Sequence, residues 1–141
     1  MRTIAYCGGT FDCFHFGHVR FFKWVKENFD FVVVALNPDS FVRKYKGETV
    51  QTYEERKEVL LACRYVDQVI ENTGGEDSKP SIIKHRPTHI INGSDWTRER
   101  LMVQMGLTEE FLEYHKLTIV LCPLPRQFST TELKQRIRTQ K

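Results

Sequence analysis

Phe31-Val32-Val33-Val34-Ala35-Leu36 is an unbroken apolar run, rich in β-branched residues and without the polar alternation of a strand that faces water. Such a segment fits a strand buried on both faces, as in a parallel sheet sandwiched between helices. The remaining signals alternate to match. Residues 3–7 predict a first strand, and residues 17–28 a helix with Val19, Phe22 and Val25 turned inward. Thr52-Tyr53-Glu54-Glu55 is a capping box that opens a helix to about residue 63. Short strands are expected over residues 66–71, 88–92 and 117–122. Helices are expected over 76–85, with Pro80 in the first turn, and over 97–104 and 108–115, split by Gly106. Ser129-Thr130-Thr131-Glu132 forms a second capping box and starts a last helix. Strands alternating with helices imply right-handed crossovers, hence an α/β fold with helices on both faces of the sheet.

At 141 residues and 40% hydrophobic content, the chain is read as a single domain, 1–141, with a real core. It has no apolar run of about eighteen residues, so no membrane-spanning helix is expected. Residues 1–6 enter a strand pattern directly, leaving no room for a signal peptide. The four cysteines, Cys7, Cys13, Cys63 and Cys122, form neither a CxxC pair nor a zinc spacing. Reduced thiols in a cytoplasmic protein are expected. A net charge of +3 favours small acidic substrates such as nucleotides and falls short of a nucleic-acid-binding footprint. His85, His89 and His115 are scattered and match no metal spacing.

The chemistry concentrates in Cys7-Gly8-Gly9-Thr10-Phe11-Asp12-Cys13-Phe14-His15-Phe16-Gly17-His18. Gly8 and Gly9 after the first strand suit a tight turn and a close backbone approach to a ligand. His15 and His18, three apart, share a face at the start of a helix. Unpaired N–H groups and the helix dipole favour a phosphate there. Ligands on such sheets bind beyond the strand C-termini, where this loop falls.

Gly9-Thr10-Phe11-Asp12 followed by His15-Phe16-Gly17-His18 resembles the signature of the HxGH-motif nucleotidyltransferases, and most closely that of the small cytidylyltransferases that act on glycerol 3-phosphate. The resemblance implies a Rossmann-like domain, its five-stranded parallel sheet ordered 3-2-1-4-5, and a homodimer. It also implies transfer of a cytidylyl group from CTP to a small phosphorylated alcohol. Mg²⁺ would be carried by the nucleotide, with no metal held as a fixed protein ligand. His15 and His18 would hold the α-phosphate, and Gly9, Thr10, Phe11, Asp12 and Gly17 would shape the nucleotide site. Asp12 either holds the turn or helps place the acceptor or the magnesium ion. Alternatives are an adenylyltransferase on the same fold and a non-catalytic nucleotide-binding module.

Other segments add candidates. Lys44-Tyr45-Lys46-Gly47 is read as a loop after the second strand; Lys46 is assigned to the triphosphate and Lys44 to the acceptor phosphate. Lys79 is a further acceptor candidate. Arg64-Tyr65-Val66-Asp67 resembles the family's RYVD element and implies nucleotide binding by Arg64, while Arg56 reads as a surface ion-pair residue. Asn92-Gly93-Ser94-Asp95-Trp96 resembles GxDW. Asp95 would meet the base or ribose, or simply cap the helix that follows, and Trp96 would wall the base. Arg126-Gln127-Phe128-Ser129-Thr130 resembles the third family signature, with Arg126, Ser129 and Thr130 on the β- and γ-phosphates. Here the chain departs from the family: the stretch from arginine to serine is two residues shorter and lacks the family's glycine. Residues 105–112 are also longer than in minimal members, and read as an added helix.

Overall fold

The computed structural model describes residues 1–125 and 128–140, Lys46 by its backbone alone. Five parallel strands form one sheet in the order β3-β2-β1-β4-β5: β1 (Ile4–Gly9), β2 (Phe31–Leu36), β3 (Gln68–Glu71), β4 (His89–Asn92) and β5 (Thr118–Leu121). This is the Rossmann-like order expected. β1 and β2 pair in register from Ile4 opposite Phe31 to Gly9 opposite Leu36.

The period of two in β2 divides the core. Val32, Val34 and Leu36 face one way, packing with Phe22 and Val25 of α1 (Phe16–Asn28) and Leu60 of α3 (Tyr53–Ala62). Val33 and Ala35 face the other way. Their partners include Ile82 of α4 (Lys79–His85), Leu101 and Met105 of α5 (Arg98–Met105) and Leu112 of α6 (Glu109–Tyr114). The unbroken apolar run thus reflects a strand covered twice.

Two expectations need correction. Val19 is 36% exposed, whereas Phe22 and Val25 are fully buried. The inward stripe of α1 runs 18, 22, 25, so His18 takes the position next to the sheet edge and Val19 turns to solvent. Lys44, Tyr45 and Lys46, read as part of a loop, end a helix, α2 (Asp39–Lys46). Pro38 precedes it, Asp39 sits in its first turn where the dipole favours a carboxylate, and Gly47, at φ +81°, ends it. Among its described residues only Val42 is buried, although Phe41, Val42 and Tyr45 share one face; eight residues are too short a span for that stripe to stand out.

Hydrogen bonds continue beyond the strand ends. The Asn37 N–H donates to Gly9 O, and the Asn72 N–H to Leu36 O, both at 2.9 Å. These bonds bring the loops after β1, β2 and β3 together at the C-terminal edge. The last helix, α7 (Thr130–Thr139), has no buried residue and closes over the same edge. Ser129 caps it by accepting from the Glu132 N–H, but Glu132 Oε1 takes the Ser129 hydroxyl at 3.4 Å, so the expected capping box is only half formed. Among the described residues no helix is long and apolar enough to cross a membrane.

Candidate active site

The loop leaving β1 turns without help from its glycines. Phe11 and Cys13 carry the left-handed backbone, each at φ 51°, a conformation that costs a non-glycine residue about 1–3 kcal/mol. Gly9 serves another end: a Cβ there would lie 2.8 Å from the Phe11 ring. Asp12, between the two left-handed residues, holds the turn. Its carboxylate accepts from the Val50 and Gln51 N–H groups at 2.9 and 3.0 Å and lies 3.3 Å from Lys134 Nζ. Its carbonyl accepts from the Thr130 hydroxyl at 3.0 Å, and Gln51 Oε1 takes the Cys13 N–H. Burial pushes the Asp12 carboxyl up, yet the Val50 and Gln51 amides and Lys134 together bring it below the ordinary carboxylate range. Of the roles open to Asp12, its contacts support holding the turn.

His15 and His18 together cap α1. His15 Nδ1 accepts from the Gly17 N–H, and His18 Nδ1 accepts from the His15 N–H, both at 3.1 Å. The rings stack at 3.8 Å between centroids, with Phe14 on the far face of His18 at 5.3 Å and Phe11 edge-on to it at 5.5 Å. With Nδ1 spent as an acceptor, each neutral imidazole carries its proton on Nε2 and is a donor there. Gly17 is required by space. A Cβ on it would stand 2.9 Å from His15 Cε1 and 3.4 Å from the Phe128 carbonyl.

These groups line a cleft of about 640 Å³. Its floor is Gly8-Gly9-Thr10, its walls the starts of α1 and α7, and its rim includes Asp95. Two helix N-termini and the histidine pair make it an anion site. Lys134 adds a cation that sequence reading overlooked; it lies one turn after Thr130, on the same helix face. Cys122 also lines the cleft, but burial pushes its thiol up, so it offers no reactive thiolate.

Arg56 was read as a surface residue and is buried, at 1% exposure. Its guanidinium donates to Thr10 O at 2.8 Å, Asn37 O at 2.9 Å, Gln51 O at 3.3 Å and Asp39 Oδ1 at 2.7 Å. It therefore pins the loops after β1 and β2 to the start of α3. The signal was present: Tyr53, Arg56 and Leu60 share one helical stripe. Arg64 shows the opposite. It is exposed and lies beyond the C-cap of α3, at the N-terminal edge of the sheet, away from this cleft.

The remaining candidates divide. Asp95, Ser129 and Thr130 line the cleft. Asp95 does not cap α5, because the Thr97 hydroxyl accepts the Arg100 N–H in that role. Trp96 walls a second cavity of about 470 Å³ that shares the Gly8-Gly9-Thr10 floor. Lys44 is exposed on α2, 3.7 Å from Glu76. Lys79 is tied to Gly106 O at 2.6 Å and to Asp77 at 2.9 Å, which makes it a structural lysine. The Lys46 side chain and Arg126 lie outside the described residues.

Residues 6–136 match the cytidylyltransferase-like family. Glycerol-3-phosphate cytidylyltransferase of Bacillus subtilis is 33% identical over 136 residues, spanning 96% of each chain. The Staphylococcus aureus enzyme of that name is 30% identical over 136 residues, 96% of this chain and 94% of that one. An FAD synthase of Pyrococcus abyssi is 43% identical over 95 residues, 67% of this chain and 64% of its own. The crystal structure of a lipopolysaccharide core biosynthesis protein from Thermoplasma volcanium shares the fold at a TM-score of 0.70 and 22% identity, over 85% of this chain and 97% of that one. A histidine-lined cleft at the sheet edge, in a chain that aligns over 96% of its length with a cytidylyltransferase, places this protein in the cytidylyltransferase-like family, as a nucleotidyltransferase.

Proposed function

We propose that the enzyme transfers a cytidylyl group from CTP to a small phosphorylated alcohol, glycerol 3-phosphate first among them, and releases pyrophosphate. The observation that carries this reading is the pair of cavities meeting over Gly8-Gly9-Thr10. The first, under the N-termini of α1 and α7, suits the triphosphate; the second suits the acceptor. An acceptor phosphate entering from the second cavity attacks the α-phosphorus. The new P–O bond forms as the bond to the β-phosphate oxygen breaks, and pyrophosphate carries away the electron pair. The attacking phosphate is already an anion, so no general base is needed. Catalysis is then positioning plus charge stabilisation.

On this reading Nε2 of His15 and His18 donates to the α-phosphate as charge develops. The start of α7, with Lys134, holds the leaving pyrophosphate, and Lys46 and Arg126 are assigned to the same end. Among the described residues no group of three or more metal-ligating side chains gathers, and the Asp12 carboxylate is engaged by its own chain. This donor set suits Mg²⁺ entering on the triphosphate, where it supplies charge neutralisation.

The likeness to FAD synthases favours a second reading, adenylyl transfer from ATP. Pyrophosphate release from each nucleotide, with Mg²⁺ and a panel of phosphorylated alcohols, separates the two. CTP with a polyol phosphate is expected to give the highest kcat/KM. Turnover confined to ATP would establish the second reading instead.

A further inference from the structure

The second cavity contains an unused polar group. Asn72 follows β3, is 9% exposed and lines this cavity. Its Nδ2 donates to Asn37 Oδ1 at 2.7 Å, and Asn37 Nδ2 donates to Thr10 Oγ1 at 3.1 Å. Among the described residues the buried Asn72 Oδ1 finds no hydrogen-bond partner. A buried amide oxygen is rarely left so, and one whose residue lines a cavity points to a ligand donor met by a turn of that side chain. The direction of the relay fits the cleft next door. It uses a lone pair of Thr10 Oγ1 and leaves the hydroxyl proton for a nucleotide phosphate.

The cavity wall also narrows what the ligand can be. None of its described lining residues carries a carboxylate, and its one described cation, Arg100, sits over the Trp96 ring at 5.0 Å. Lys44 Nζ stands 5.4 Å from the centroid of Tyr45, another wall residue. Two of the aromatic walls, Trp96 and Tyr45, are therefore already paired with the chain's own cations, and Phe41 packs on Tyr45. A cationic acceptor would meet Arg100 and find no counter-ion.

We propose that Asn72 is the residue that selects the acceptor. Its Oδ1 accepts a hydrogen bond from a hydroxyl of an uncharged polyol or sugar phosphate, and the chamber rejects phosphoalcohols that carry an ammonium group. The inference rests on the second cavity being the acceptor chamber of the transfer proposed above.

The test is pyrophosphate release with CTP, Mg²⁺ and matched acceptors. These are glycerol 3-phosphate with its deoxy analogue, larger polyol and sugar phosphates paired in the same way, and phosphocholine. Wild-type enzyme is expected to favour the hydroxylated member of the productive pair by about tenfold or more in kcat/KM, and phosphocholine is expected to fall at least as far behind. In Asn72→Ala the preference within the pair should collapse to near parity. The loss should appear in the acceptor KM, with the KM for CTP within about twofold of wild type. A preference retained in Asn72→Ala, or phosphocholine as the best acceptor, overturns the inference alone. The wild-type comparison needs no variant, so parity between pair members overturns it even if Asn72→Ala does not fold. No turnover of any acceptor by the wild type overturns the inference and the transfer reading together, an outcome distinct from turnover without selectivity.

Discussion

Asp12 and Gly17 both belong to the signature loop, and both act on the chain itself. The Asp12 carboxyl is held below its ordinary range because amide and lysine contacts outweigh its burial. A depressed folded value means that the ionised form stabilises the fold. That stability is fully present above the unfolded carboxylate range, near pH 4, and is lost as pH falls through the depressed folded value. Thermal melts of Asp12→Asn should therefore show a shallower acid limb than wild type below about pH 4; matching limbs would remove Asp12 from this role. Gly17→Ala places a methyl group against His15. It should lower kcat by about tenfold or more while costing about 1 kcal/mol of stability, the scale of one helix cap. Steady-state kinetics and a denaturant titration on the same preparation separate the two effects.

At the scale of elements, α3 shows what patterning reveals and what it hides. Its capping box, Thr52 with Glu55, was legible from four residues, because both partners are local. The burial of Arg56 was signalled only by its place on the Tyr53–Leu60 stripe; its partners Thr10, Asn37 and Asp39 were not legible, since they come from loops whose approach only the folded sheet determines. In α2 the stripe of Phe41, Val42 and Tyr45 was there to read, but it spans little more than one turn and buries only Val42 among the described residues. Removing Arg56 leaves the carbonyls of Thr10, Asn37 and Gln51 short of a donor beside a half-exposed Asp39 carboxylate, a cost of about 3 kcal/mol at roughly 1–3 kcal/mol for each unsatisfied group. Arg56→Ala should lose that much in a denaturant titration, whereas Arg64→Ala, at an exposed position, should stay within about 0.5 kcal/mol of wild type. Equal losses would contradict the assignment of Arg56 as the clamp between the loops.

For the whole molecule, the strand-helix alternation made the α/β class readable, and the resemblance supplied the strand order. The histidine end of the cleft was legible because His15, Gly17 and His18 act within a single helical turn. Lys134, Arg56 and Asn72 were not, because each acquires its role from segments distant in sequence. On the proposed reading, the stacked histidine pair stabilises charge on a transferred nucleotidyl group. The most direct measurement is the rate of pyrophosphate release by His18→Ala, under saturating nucleotide and acceptor, relative to wild type. A fall of about 100- to 1,000-fold, as for loss of one preorganised donor, is the predicted result. A folded His18→Ala enzyme that releases pyrophosphate near the wild-type rate would contradict the claim.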